Sequence, residues 1–502
     1  MNRFRMGAIV VLLAAAAACA GVGLAEESPA GQAASSAVDQ VSASTSLFDV
    51  PATSFQTAID DDTVLTGPDA HLALQRMRAS GATVVRLVVS WDHIAPGAKP
   101  KGFVGSDPAS PGYDWKVTDG LVREVVGAGL QPLLTVTGAP VWAAPTPHNR
   151  PQDGPTKPSA PDFAQFATAI AKRYSGTYRG LPRVRYWEAW NEPNVSIYLM
   201  PQIDGPNAIS PGTYRGLLNA FYTAVHRVHS DNVVAAGGLS PFTVSNGAVE
   251  TVGPLAFLRD LLCLSAGRNP HATCSDVVRF DAWSVHPYTS GGPTHHATNP
   301  NDLSLGDLGK VRPLLEQAAE LGHLQSSEPI QYWVTEFSWD TNPPDKNAVP
   351  IAVQARWTSD ALYRMWQNGV DLATWFTLRD NPVNASDIQS GLYFRAKTLR
   401  ADRAKPTLRA FRFPFVVHPS GRKILYWGHT TPGTKVTIER QAGERWARVR
   451  TLVTAGDGVF TGFLPANGEM FRATTTKDQS LPFAVKGIND LQVTPFGVGT
   501  IK

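Results

Sequence analysis

The sequence predicts a (β/α)8 TIM barrel followed by a small C-terminal all-β sandwich domain. Three observations predict it. The chain has 502 residues of which 43% are hydrophobic and 17% charged, enough apolar material for a full-sized core and too much for a disordered chain. From about residue 54 to 400, eight β-branched or apolar runs alternate with longer amphipathic stretches. Beyond about residue 405 the alternation stops, and short strand-like runs are separated by Gly, Pro and Asn.

Arg3 and Arg5 precede an uncharged apolar run, Met6 to Ala18, and small residues continue to Ala25. That order gives the basic and apolar regions of a secretory signal peptide over residues 1–25, with Gly23-Leu24-Ala25 as the cleavage site. An uncleaved N-terminal anchor and a lipoprotein modified at Cys19 are competing readings of the same residues. Residues 26–46 are small and polar and read as a disordered linker. Residues 47–404 are then the barrel and 405–502 the sandwich.

The expected barrel strands are Phe55–Ile59, Thr83–Val89, Gln131–Thr137, Val184–Trp190, Val233–Gly238, Ala282–His286, Gln331–Thr335 and Asp371–Thr377. Helical periodicity marks Asp162–Tyr174, opened by Ser159-Ala160-Pro161, and Thr213–His229. In the last hundred residues Val436–Glu439, Trp446–Val453, Gly458–Leu464 and Met470–Thr475 read as strands. An open doubly wound sheet is the alternative for the first part, but no strand is followed by GxGxxG or a Walker sequence.

Composition narrows the function classes. The net charge is +3 with no run of Lys or Arg, so nucleic acid and anionic membrane have little to bind. HExxH, CxxC and GxSxG are absent, and neither a metal nor a cofactor is expected. His226 and His229 lie one helical turn apart and read as helix surface rather than metal ligands. Without Cys19 the chain keeps two cysteines, Cys263 and Cys274, an even pair that in an oxidising compartment implies a disulfide, with two buried thiols as the alternative. Closing that short loop is worth about 2–3 kcal/mol. A secreted or extracytoplasmic monomer is expected, and the 13 Trp offer faces for stacking on a carbohydrate partner or simply fill core.

Functional residues of a barrel sit at the carboxyl ends of its strands. The fourth strand ends in Trp187-Glu188-Ala189-Trp190-Asn191-Glu192-Pro193-Asn194, the seventh in Tyr332-Trp333-Val334-Thr335-Glu336-Phe337-Ser338-Trp339. Glu192 and Glu336 thus face one mouth from opposite sides, each among apolar bulk that disfavours its ionised form. Two carboxyls with separately tuned protonation are what glycosidic cleavage requires.

The segment Trp187–Asn194 resembles the Asn-Glu-Pro signature of clan A glycoside hydrolases, and the 54–400 region is similar to families thirty-nine and five of that clan. The resemblance implies a retaining enzyme with Glu192 as acid/base and Glu336 as nucleophile. It implies further that Arg86 keeps the nucleophile ionised and that Asn191 contacts the sugar hydroxyl beside the reacting carbon. His286 and Tyr288 match the His-x-Tyr ending strand six, and Trp375 the strand-eight tryptophan under the sugar. Trp142 and Trp91 are candidate substrate-binding residues, with mouth-lining structure as the alternative, and His295 and His296 lie in a loop expected near the cleft. A transglycosylase, or a non-catalytic glycan-binding protein on the same scaffold, would use the same frame. Retention requires the carboxyls about 5–5.5 Å apart, inversion roughly 6.5–9.5 Å.

Overall fold

The computed structural model describes residues 54–144, 153–245, 249–326, 328–382 and 388–487. The expected signal peptide, the linker and Cys19 lie outside the described residues.

Eight parallel strands close into a barrel: β1 (Gln56–Asp60), β2 (Val84–Ser90), β3 (Gln131–Thr137), β4 (Tyr186–Ala189), β5 (Val233–Leu239), β6 (Ala282–Val285), β7 (Gln331–Phe337) and β8 (Val370–Phe376). Each strand pairs with its sequence neighbours, and β1 with β8 completes the ring. All eight expected strands are present, with ends shifted by a residue or two.

Helices between the strands bury their apolar stripes on the outside of the ring. Among them are α1 (Ala70–Ala79), α2 (Lys116–Gly127), α3 (Ala160–Arg173), α4 (Ser210–Val228) and α5 (Pro254–Leu261). The set continues with α6 (Arg312–Glu320) and α7 (Ile351–Gln367). The Ser159 side chain caps α3 by accepting from the Asp162 amide at 3.2 Å, and Pro161 sits where a missing N–H costs nothing.

Inside the ring the lower layer is apolar, formed by Ala58, Val84, Leu133, Ala235, Ala282, Trp333 and Leu372. The next layer towards the carboxyl ends is polar: Arg86, Thr135, Glu188 and Ser284 are all fully buried. This change from sealed floor to polar layer places the buried polar side chains towards the carboxyl ends of the strands.

After α8 (Pro406–Arg412) come two antiparallel sheets. One orders β9 (Phe415–Ser420), β10 (Lys423–His429) and β13 (Val459–Pro465). The other orders β12 (Arg445–Val453), β11 (Lys435–Ala442), β14 (Met470–Thr474) and β15 (Phe483–Ala484). Strands β9, β10 and β15 were not expected; Pro419 in β9 demotes that run by sequence, yet β9 is an edge strand, where proline is tolerated. Trp427 of β10 packs on Tyr363 and Trp366 of α7, joining this part to the barrel's outer layer.

Cys263 and Cys274 form the expected disulfide. Among the described residues no helix is long and apolar enough to cross a membrane.

Candidate active site

Two irregularities in the barrel deliver the functional side chains. Strand β7 shifts register against β8 between Val334 and Phe337, so two successive side chains, Thr335 and Glu336, both reach the interior. Beyond β4, Trp190 and Glu192 adopt φ of +77° and +41°, a left-handed conformation that costs non-glycine residues of order 1–3 kcal/mol each. Surrounding bonds hold this turn. Trp190 N donates to Val136 O (2.8 Å), Glu192 N to Gly238 O (3.1 Å), and the Asn194 amide nitrogen to Ser240 O and Val252 O (2.9 and 3.0 Å). Gly238 is required here, because a Cβ on it would collide with His286 Nε2 and Thr335 Oγ1.

Arg86 is the hub of the layer beneath. Its Nη1 donates to Glu336 Oε1 (2.7 Å) and Asp60 Oδ2 (2.6 Å), its Nε to Glu188 Oε2 (2.8 Å) and its Nη2 to Asn191 Oδ1 (2.7 Å). Glu188 also accepts from Thr135 Oγ1 (2.6 Å), Ser284 Oγ (2.8 Å) and Gly238 N (3.2 Å). Burial alone would raise its carboxyl; the Arg86 charge, His286 and these donors outweigh it and hold Glu188 below the ordinary value.

Glu336 has a second donor, Tyr288 Oη, at 2.9 Å to Oε2. Glu192 hydrogen-bonds through Oε1 with His286 Nδ1 at 3.0 Å, and His286 Nε2 is held by Thr335 Oγ1 at 3.1 Å. Burial pushes both glutamates above the usual carboxylate range. At Glu336 the Arg86 charge and the Tyr288 bond oppose that rise, whereas at Glu192 the opposition comes from His286. Burial also lowers His286, which favours its neutral form. His286 Nδ1 lies 3.0 Å from Glu192 Oε1 and 3.7 Å from Glu336 Oε2, so those two oxygens are separated by no more than about 6.7 Å.

Of the expected site residues, the structure therefore brings together Glu192, Glu336, Arg86, Asn191, His286 and Tyr288. Arg86 and His286 are fully buried behind the two glutamates, holding them rather than lining the opening. Two tryptophans, Trp375 and Trp91, are not where the sequence reading put them. Trp375 is fully buried with its ring against Phe337 and Phe411, because the inward positions of β8 are Leu372, Thr374 and Phe376. Phe376 is the residue that turns to the mouth, beside Tyr288 and Ile388. Trp91 is also fully buried, stacked on Phe166 at 5.6 Å, and is core. Trp142 is half-buried after β3, but Nε1 is tied to Pro96 O (2.8 Å) and the Lys99 ammonium covers its ring at 4.3 Å. His295 bonds Ser290 Oγ (3.0 Å) and His296 bonds Asp307 (2.8 Å), both local ties within the loop.

Sequence reasoning missed Asp60, Glu188, Thr335 and Phe376. A single acid closing the apolar run QTAID and another inside YWEA were the available signals for the first two.

No family model matches the chain, and no curated protein matches it. Among solved structures, it is similar to a family 39 glycoside hydrolase of the gut symbiont Bacteroides cellulosilyticus (17% identity, TM-score 0.49, covering 82% of this chain and 80% of that one). It is similar also to a glucosidase from Croceicoccus marinus (13%, TM-score 0.46, 84% and 95%). A third is the catalytic domain of the family 30 xylanase C from Talaromyces cellulolyticus (11%, TM-score 0.45, 85% and 96%).

Proposed function

We propose that this chain is a secreted retaining glycoside hydrolase that cleaves O-glycosidic bonds of an oligo- or polysaccharide by double displacement. The observation that carries the reading is the convergence of Glu192 and Glu336 on His286 Nδ1, which bounds their nearer oxygens to about 6.7 Å. That bound on one oxygen pair is compatible with the short separation of retaining enzymes, about 5–5.5 Å, and supports retention over inversion without fixing the full carboxyl spacing.

In this reading Glu336 attacks the anomeric carbon. Arg86 and Tyr288 each donate to it, which favours the ionised, nucleophilic form. Glu192, raised by burial, keeps its proton and gives it to the leaving oxygen as the glycosidic bond breaks. Glu336 is then esterified. Glu192, now ionised, takes a proton from water, the hydroxide oxygen displaces Glu336 from the sugar, and both carboxyls return to their starting states. His286, bonded to Glu192 on one ring nitrogen and Thr335 on the other, fixes the acid's rotamer through both steps. Asn191, locked by Arg86, is the amide presented to the sugar hydroxyl next to the reacting carbon.

The basic, apolar start of the sequence and the Cys263–Cys274 disulfide support export. Residues 47–404 are taken as the catalytic unit and 405–502 as a separate sandwich. The test is turnover of a panel of chromogenic glycosides by wild type, Glu192→Gln and Glu336→Gln. Hydrolysis of at least one glycoside by the wild type, abolished or crippled in both variants, is expected; equal rates in all three would refute the assignment.

A further inference from the structure

The mouth holds a third carboxyl that the double displacement does not use. Asp60, the last residue of β1, is 4% exposed, and its Oδ2 accepts from Arg86 Nη1 at 2.6 Å. The same nitrogen donates to Glu336 Oε1 at 2.7 Å, so the two oxygens sit within about 5.3 Å of each other. Arg86 brings one positive charge, and Glu188, held ionised by four donors, already takes its Nε. What remains cannot neutralise two further carboxylates at this spacing, and buried like charges so close retain a proton between them. Their bonding decides which one carries it. Glu336 has two donors, Arg86 and Tyr288, whereas the Asp60 side chain has Arg86.

We propose that Asp60 is a positioning residue for the nucleophile: it shares one dissociable proton with Glu336 across Arg86 and holds that proton while Glu336 is ionised. The inference rests on Glu336 being the nucleophile and adds a proton to its cycle. When Glu336 forms its ester bond to the anomeric carbon, and the leaving group departs with the Glu192 proton, the hub loses one negative charge. Arg86 then has Asp60 as its free anionic partner on Nη1, and the Asp60 proton passes to solvent. Hydrolysis restores the Glu336 carboxylate, and Asp60 takes a proton back. Burial pushes Asp60 up to about 7, with Arg86 opposing and the Glu336 charge adding to the rise, as this sharing requires. The groups that face Asp60 are Asp61 and Asp62 from its own strand end, Arg86 from β2, and Tyr198 beyond β4. Tyr288 beyond β6 and Glu336 of β7 complete the set, while Glu188 and Glu192 meet it through Arg86 and Glu336.

The test is carbon-13 NMR titration of the full chain labelled at aspartate carboxyls, in wild type, D60N, D62N and E336Q. One aspartate resonance should titrate near 7, vanish in D60N and persist in D62N, which separates it from Asp62, also pushed to about 7. In E336Q its midpoint should fall by at least one pH unit, a tenfold loss of proton affinity. E336Q reads Asp60 with its own side chain intact, so the result does not depend on the folding of D60N. An unchanged midpoint in E336Q, or no neutral-range aspartate lost in D60N, overturns the proposal. Should the wild type hydrolyse no glycoside at all, the catalytic reading fails while this titration still decides whether the two carboxyls share a proton.

Discussion

Replacing Arg86 by methionine tests the charge hub through stability rather than turnover. Arg86 and Glu188 both have side chains at 0% exposure, bonded at 2.8 Å. Methionine fills much of the volume but leaves Glu188 without a counter-charge. Removing one partner of a buried pair costs about 3–5 kcal/mol. Thr135, Ser284 and the Gly238 amide still donate to Glu188, which places the expected loss at the lower end, about 3 kcal/mol at pH 7. Asp60 and Glu336, both already raised, escape most of the penalty by taking up protons. The sign with pH follows from Glu188. Its folded value lies below the ordinary 4.5, so in wild type its stabilisation is present above that pH and is lost as pH falls through the folded value. Without Arg86 the buried carboxyl moves the other way, and acid relieves it. Urea midpoints of wild type and Arg86→Met should therefore differ widely at pH 7 and converge towards pH 4. A loss below about 1 kcal/mol at pH 7, or the same loss at both pH values, would refute the view that Arg86 neutralises buried carboxylates.

Other outcomes follow from the same geometry. Glu192→Gln should lower kcat by about 10²–10⁴ for glycosides with poor leaving groups and far less for activated ones, because only the former need a proton. Tyr288→Phe removes the donor at 2.9 Å that favours ionised Glu336, so the acid limb of the kcat/KM profile should move to higher pH; a downward shift would contradict the role. Replacing Cys274 by serine should cost about 2–3 kcal/mol by urea titration, on the loop-entropy account, and leave kcat unchanged. Phe376→Ala should raise KM for glycosides more than Trp142→Ala does, since Phe376 is the ring grouped with Tyr288 at the mouth.

The architecture was legible because each barrel strand is an apolar run bounded by polar turns, and the paired glutamates because each ends such a run. What stayed hidden has a common cause. Strands of a parallel barrel are buried on both faces, so their sequences do not alternate and inward and outward positions look alike. Hence Trp375 and Phe376 could not be told apart, and Trp91 read as mouth although it faces the helices. The register shift in β7 that sends both Thr335 and Glu336 inward has no marker in TEF. Asp60 was missed for another reason: an isolated acid becomes informative only once Arg86 is seen to bond it together with Glu336. In the C-terminal part, β9 and β10 form a hairpin whose Gly421-Arg422 turn was readable, but Pro419 obscured it.

In the proposed double displacement, two carboxyls at one mouth act in succession from a short separation. Proton NMR of the first sugar released from a hydrolysed glycoside reads this directly, before mutarotation mixes the anomers. A hemiacetal with the anomeric configuration of the substrate is expected; release of the opposite anomer would rule out double displacement.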